Sequence, residues 1–175
     1  KTVKDLVAIA KSKPGQLNYA STGNGGITHL SSELFALRTG IKITHIPYKG
    51  TGPGVIDTIS GNTQMMVAAV SAVIGHINNG RLKGLAVSSP KRLSAMPNTP
   101  TVMESGYDYQ VNNWHGIIAP KGTPKAIIDR LNAEVNKAIK DPDFAKRIAL
   151  DGLGVKVAFV TSERLYDEQR TLIER

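Results

Sequence analysis

A strand, a glycine-rich turn and the start of a helix follow one another at the beginning of this chain, and this unit most constrains the fold. An apolar strand is predicted at residues 17–20, and the Gly and Asn residues at 23–26 permit tight or left-handed backbone conformations. Apolar residues then recur at helical spacing from Ile27. Because a helix N-terminus has unpaired N–H groups and a partial positive charge, the unit favours binding of a small anion. The same glycines would also suit an ordinary connection, so the turn alone leaves both interpretations open.

The unit is repeated immediately afterwards. Residues 41–46 predict a second strand that ends at Pro47, and the glycine-rich segment 48–54 opens a further helix that runs to Ile59. Lys49 lies directly before these glycines, where its ammonium group could either reach an anionic ligand or remain solvated.

A continuous apolar run at residues 65–70 predicts a strand that is buried on both faces, and residues 82–87 predict another in spite of Lys83 and Gly84. Ser71 is expected to cap the helix between them, at residues 72–77. Strands that alternate with helices indicate a parallel α/β sheet, which binds ligands at the carboxyl ends of its strands. We therefore expect the two glycine turns to lie side by side at one sheet edge, with their helix N-termini converging on one cleft.

The pattern loosens at residues 94–113, which predict a crossing between domains. The elements expected after it are strands at 114–120 and 155–159 and helices that begin near Thr123, Asp141 and Thr161 or Ser162. Two strands are too few to close a sheet, so this part is expected to complete a domain whose other half lies outside the chain. Apolar surface left exposed in this way predicts self-association of the chain.

The composition argues against several classes of function. The chain has 22 basic and 14 acidic side chains, but it has no basic run and only 5% aromatic residues, which disfavours nucleic-acid binding. Thr28 occupies the third glycine position of a dinucleotide-binding fingerprint, and no Walker lysine follows the second turn. We therefore expect no cofactor.

Metal binding and catalysis also lack a signature. The four histidines show no metal-ligand spacing, and the chain has no cysteine, so we expect no metal site. No nucleophile elbow or paired acid and base is visible, so no catalytic residue is expected. His29, beside the first turn, is either structural or a hydrogen-bond donor to a ligand.

Several blocks of the sequence resemble the Bug (Bordetella uptake gene) proteins, the solute receptors of tripartite tricarboxylate transporters. The resemblance extends over essentially the whole chain, and the Pro-Tyr-Lys-Gly block is its most specific part. The blocks are NYASTGNGG at 18–26, HIPYKG at 45–50, GRLKGLAV at 80–87, PTV at 100–102 and APKGTP at 119–124.

The resemblance implies a periplasmic receptor with a two-domain α/β fold of the type II periplasmic-binding-protein kind, here truncated. Residues 1–112 would be the second, solute-binding domain without its first strand, and residues 113–175 would return to the first domain. Such a receptor captures a small carboxylate-bearing solute and delivers it to membrane transporter subunits. The alternative is a small-molecule α/β enzyme that binds an anionic substrate at the same turns.

The family's contacts to solute also carry over by resemblance. They fall on Ser21, Thr22, Gly23, Asn24, Thr28, His29, Tyr48, Lys49 and Gly50. Many relatives have Asp-Asn after the third strand, where this chain has Ala68 and Ala69. A carboxylate at that position would pair with an ammonium group, so Ala68 predicts a mono- or dicarboxylate that carries no amine.

Overall fold

A computed structural model describes residues 2–112 and 117–150, the last four of these by backbone only. Residues 2–112 belong to one compact unit and residues 117–149 to a second. The expected strand at 155–159 and the last expected helix lie outside the described residues. Of the expected strand at 114–120, only residues 117–120 are described, and they form no strand.

Helices alternate with short strands in the first unit, and two helices are described in the second. The elements in chain order are α1 (Val3–Ser12), β1 (Asn18–Ser21), α2 (Ile27–Thr39), β2 (Thr44–Pro47), α3 (Thr51–Ile59), β3 (Met65–Met66), α4 (Val70–Asn78), α5 (Lys125–Ile139) and α6 (Pro142–Leu150).

The sheet of the first unit has the strand order β2-β1-β3, and both of its pairings are parallel. The parallel α/β prediction is therefore confirmed. Tyr19, in the central strand, is fully buried and pairs with His45 on one side and with Met65 on the other.

Of the four strands expected in the first unit, the one at 41–46 begins only at Thr44, and the predictions at 65–70 and 82–87 are wrong over most of their length. The expected strand at 65–70 has only its first two residues in the sheet, because the rest of this apolar run leads into α4. The N-cap of α4 is Ala69, so the expected cap at Ser71 is wrong. Residues 82–86 form no strand, and Val87 makes only an isolated bridge to Thr101.

Gly84, within the segment 82–87, packs closely against its neighbours. A Cβ atom on Gly84 would lie 2.6 Å from Cε of Met96. The chain thus packs against the following loop at this point.

The core of the first unit lies between α1, α2 and the segment around Val102 and Tyr109. α1 begins with a capping box in which Thr2 and Asp5 exchange hydrogen bonds of 2.8 and 3.2 Å. Phe35 of α2 packs edge to face on Tyr109, with ring centroids 5.6 Å apart.

α2 buries a different face from the one that its apolar residues indicate. Ile27, Leu30 and Leu37 are 46, 55 and 77% exposed. The buried residues are Ser31, Ser32, Phe35, Ala36 and Thr39. The three hydroxyl groups among them donate to backbone carbonyls one turn earlier, so their burial leaves no unpaired polar group.

In the second unit, α6 begins as predicted and α5 does not. Asp141 Oδ1 accepts hydrogen bonds from the N–H groups of Asp143 and Phe144, both at 3.0 Å, which is the expected cap. Thr123 was expected to cap α5, but its hydroxyl donates to the carbonyl of Pro120, and the N-cap is Pro124.

Candidate functional site

The two glycine turns lie side by side at the carboxyl ends of neighbouring strands, as the sequence predicts. Ser21 and Pro47 are paired residues at the ends of β1 and β2. Just beyond them, the N–H of Tyr48 donates to the carbonyl of Ser21 at 3.0 Å. A Cβ atom on Gly23 would lie 3.6 Å from the carbonyl oxygen of Tyr48, so the two turns are in contact.

Side chains hold the first turn from two sides. Thr28, in the first turn of α2, accepts the N–H of Thr22 at 2.9 Å, and its hydroxyl also bonds that of Thr22 at 2.9 Å. Ser21 Oγ lies 3.1 Å from the nitrogen and 3.2 Å from the carbonyl oxygen of Gly23. Gly23 and Gly25 have φ angles of 131° and 72°, values that favour glycine.

A pair of stacked histidines joins this turn to the sheet. The ring centroids of His29 and His45 are 3.9 Å apart and their planes differ by 6°. His29 Nδ1 accepts the N–H of Gly25 at 2.9 Å, and His45 Nε2 lies 2.6 Å from Ser21 Oγ. Burial, and then the neighbouring His29, lower the pKa of His45.

Tyr19 lies beside this pair, with its ring centroid 4.9 Å from that of His45 and 6.4 Å from that of His29. Its hydroxyl donates to the carboxylate of Glu33, one turn beyond His29 along α2. Burial raises the pKa of Tyr19, and the hydrogen bond and charge of Glu33 raise it further.

The second turn is held by fewer contacts. The hydroxyl of Tyr48 donates to Asp57 Oδ2 at 2.7 Å, and this hydrogen bond is the main cause that raises the pKa of Tyr48. Lys49 is exposed. Gly50 is the N-cap of α3, with φ 112° and ψ 176°, and a Cβ atom placed there would meet no atom within 4 Å.

Three helices begin at the carboxyl ends of the three strands, and none of them has a side-chain cap. Their N-caps are Gly26 for α2, Gly50 for α3 and Ala69 for α4. Ala68 lies in the short connection between β3 and α4. Because β1 is the central strand, the first glycine turn lies between the other two helix starts. Uncapped N–H groups with an exposed lysine nearby suit a carboxylate or another small anion.

The sheet thus brings the sequence-predicted site residues to one edge, and their contact with a solute remains a prediction. Sequence reasoning missed the partners of these residues, which are Tyr19, Glu33, His45 and Asp57. No sequence signal identified His45, because its place near the start of α2 depends on the register between β1 and β2.

Other features of the first unit do not involve this edge. A groove of about 380 Å³ is lined by the start of α1 and by segments around Gly84 and Thr99, and none of the predicted site residues lines it. Among the described residues, no group of three or more acidic, histidine or cysteine side chains could hold a metal ion. None of the described helices is long and apolar enough to cross a membrane.

A parallel sheet that alternates with helices defines a domain of the α/β class. Residues 1–166 match the model of the tripartite tricarboxylate transporter family receptor. The chain belongs to this family of solute receptors, and the Bug resemblance is confirmed by its relatives.

Two curated relatives illustrate the match. The UPF0065 protein in the tcbD-tcbE intergenic region of Pseudomonas sp. (strain P51) is 38% identical over 175 residues, which cover 99% of this chain and 52% of the relative. Protein BugT of Bordetella pertussis is 38% identical over 148 residues, 84% of this chain and 45% of BugT. The chain therefore spans about half the length of the curated relatives it matches.

Solved structures of similar proteins have the same fold. Periplasmic binding protein BugD matches with a TM-score of 0.88 at 31% identity, over 99% of this chain and 58% of BugD. Rpa4515 of R. palustris, solved with adipate, matches with a TM-score of 0.84 at 29% identity, over 99% of this chain and 56% of that protein. MatC of Rhodopseudomonas palustris, solved with bound malate, matches with a TM-score of 0.81 at 28% identity, over 86% of this chain and 52% of MatC. These proteins share the two-domain α/β fold that the resemblance implies, and the chain corresponds to part of it.

Proposed function

We propose that this chain forms part of a periplasmic receptor that captures a small carboxylate-bearing solute and delivers it to the membrane subunits of a tripartite tricarboxylate transporter. The observation that carries the proposal is the set of three uncapped helix N-termini at the ends of adjacent parallel strands. Similar proteins that were solved with adipate and with malate support a carboxylate as the ligand.

The two turns would contribute different groups to the solute. The first turn would offer the backbone N–H groups of Asn24 and Gly26 and those at the start of α2. The second turn would offer the ammonium group of Lys49, which is exposed, and the N-terminus of α3 at Gly50. A charge-assisted hydrogen bond from Lys49 would then hold a carboxylate that the backbone N–H groups orient.

The third helix start would shape the preference among solutes. Ala68 offers no carboxylate to an ammonium group, and in a closed cleft an unpaired charge is costly. The solute is therefore a mono- or dicarboxylate without an amine, and not an amino acid.

The domain assignment is part of the same proposal. Residues 1–112 form most of the solute-binding domain, and residues 113–175 belong to the other domain of the receptor. The apolar face of α5 supports this assignment, because Ile127 and Leu131 are 50 and 42% exposed. Self-association through that face is the corresponding prediction for the chain alone, and sedimentation of wild type and Leu131→Gln tests it. Identical sedimentation of both as monomers would contradict it.

The function is tested by calorimetry and thermal unfolding with succinate, adipate and malate, beside aspartate and glutamate. Saturating ligand at about 100 times its Kd stabilises a protein by roughly 2.7 kcal/mol, which a melting curve resolves. We expect the amine-free acids to bind and to remain chemically unchanged. Stabilisation by the amino acids alone would refute the role of Ala68, and turnover of a bound acid would favour the enzyme alternative.

Lys49→Gln tests whether the second turn contributes to binding of the solute. It should weaken binding of the dicarboxylates by about tenfold to a hundredfold, since a hydrogen bond to a charged group contributes roughly 1.5–3 kcal/mol, while leaving the melting temperature of the free protein unchanged. The control is Lys83→Gln, an exposed lysine that lines the groove and not the turns. Equal affinities of Lys49→Gln and Lys83→Gln would remove Lys49 from the site.

A further inference from the structure

Two hydrogen bonds tie the stacked rings of His29 and His45 to the first glycine turn. His29 Nδ1 accepts the N–H of Gly25 at 2.9 Å, and His45 Nε2 lies 2.6 Å from the hydroxyl of Ser21. The protonation of these rings therefore decides which backbone groups of the turn are already paired. Histidine is the side chain whose charge ordinarily changes near neutral pH, so this arrangement is sensitive to protons.

The bond to Gly25 exists only while Nδ1 of His29 has no proton. A neutral His29 must then carry its proton on Nε2, because Nδ1 is the acceptor. A second proton from solvent would occupy Nδ1 and set two N–H donors head to head, so the bond between His29 and Gly25 breaks and the two groups move apart. The two oxygens of one carboxylate could then accept, one from the ring N–H and one from the N–H of Gly25.

The charges around the two histidine rings favour an added proton on one ring and oppose added protons on both. Tyr19 on β1 stacks on His45, and its hydroxyl bonds Glu33 of α2, whose carboxylate is the negative charge nearest the pair among the described contacts. A positive charge on both rings is unfavourable, since their centroids are only 3.9 Å apart. Burial and the neighbouring His29 lower the pKa of His45, which opposes a proton on that ring.

We propose that His29 is a proton-linked latch for the solute carboxylate: protonation at Nδ1 releases the N–H of Gly25, and the two N–H groups then bind the carboxylate together. This inference rests on the proposed function. It requires that solute binding takes up about one proton, because the bound anion stabilises the protonated ring. By the same linkage, affinity for solute rises as the pH falls through the histidine range.

The latch is tested first without solute, by following the NMR resonance of the Gly25 amide as the pH is lowered. In the wild type this resonance should shift with the same midpoint as the ring signals of His29. In His29→Asn it should not shift, because the amide oxygen of asparagine offers an acceptor that does not titrate. His76→Asn, which alters a histidine in the last turn of α4, is the matched control and should behave as wild type. A Gly25 resonance that stays constant in the wild type would overturn the latch.

The second test measures proton uptake during binding, by calorimetry with succinate, adipate and malate in buffers of different ionisation enthalpy. The wild type and His76→Asn should take up about one proton near neutral pH, and their affinity should rise about fivefold or more between about pH 8 and about pH 6. His29→Asn should bind without proton uptake and with a flat pH profile. Equal proton uptake by His29→Asn and the wild type would overturn the proposal.

The two tests also separate this inference from the proposed function. Absence of binding by every acid at every pH would contradict the receptor function, whereas a titrating Gly25 amide in the same sample would still support the proton-sensitive bond. Binding by the wild type with no proton uptake would support the receptor function and overturn the latch.

Discussion

The two glycine turns occupy equivalent positions at the ends of adjacent strands, yet they are held very differently. The first turn is tied by Ser21, Thr28 and His29, which bond its backbone at 2.9 to 3.2 Å. The second turn depends on one side-chain contact, from Tyr48 to Asp57, and Gly50 has open space around it. The first turn is thus fixed by several side chains, whereas the second is fixed at Tyr48 and has open space at Gly50.

This difference suggests separate roles in binding. A turn whose backbone is already fixed pays little conformational entropy when its N–H groups bind a carboxylate, which favours specificity. An exposed lysine on an open turn can adjust to acids of different length. We infer that the first turn recognises the carboxylate and that the second accommodates the rest of the solute.

Replacing one glycine of each turn by alanine should give the largest difference in unfolding free energy between the two turns. Gly23 and Gly50 both have φ angles that side chains rarely adopt, and such strain costs roughly 1–3 kcal/mol. Gly23→Ala should lose this amount of unfolding free energy, because its neighbours prevent the turn from relaxing. Gly50→Ala should lose less, because the open turn can shift. Denaturant unfolding measures both.

Gly52→Ala is the control for this comparison. Gly52 lies inside α3 without a positive φ and with no atom near its Cβ position, so alanine should be neutral or slightly stabilising there. A loss at Gly50→Ala as large as that at Gly23→Ala would show that the second turn is as rigid as the first.

Removal of one side-chain hydrogen bond from each turn should give the next largest difference in unfolding free energy between the turns. Thr28→Val deprives the N–H of Thr22 of its acceptor and should lower the unfolding free energy by about 1–3 kcal/mol. Tyr48→Phe removes one bond to Asp57, which keeps a contact of 3.3 Å from Asn62, so the loss should be about 1 kcal/mol or less. Thr28→Ser keeps the hydroxyl and should restore most of the stability. The comparison fails if Tyr48→Phe is the more destabilising change.

The positions of both turns could be predicted from the sequence, because glycines and apolar periodicity are local signals. The strand, turn and helix around Gly23 and the repeat around Gly50 are present as expected. Local signals also gave the cap at Asp141, whose side chain bonds residues two and three positions later.

The features that could not be predicted depend on contacts between distant residues. The buried face of α2 contains Ser31 and Ser32, because hydroxyl bonds to the preceding turn make them compatible with the core. An apolar count selects Ile27 and Leu30 instead, and these are exposed. The partnership of His29 with His45 likewise depends on the register of β1 and β2, which periodicity does not fix.

Alkaline unfolding should give the smallest and most specific difference between the turns. Burial raises the pKa of Tyr19, which supports the first turn through the histidine stack, and the bond to Asp57 raises the pKa of Tyr48 at the second. A tyrosine whose pKa is raised by folding contributes stability that is complete below its ordinary value of about 10 and is lost as the pH rises above it.

Tyr19→Phe should therefore flatten the fall in melting temperature above about pH 10 more than Tyr48→Phe does, because Tyr19 is fully buried and Tyr48 is not. Tyr109→Phe is the control, since burial raises the pKa of Tyr109 to about 12 in a part of the core away from both turns. Phenolate absorbance, recorded during the same titrations, identifies the tyrosine that ionises as the protein unfolds. If Tyr48→Phe flattens the profile more than Tyr19→Phe, the stack beside the first turn does not confer the greater rigidity, and the second turn is the better fixed of the two.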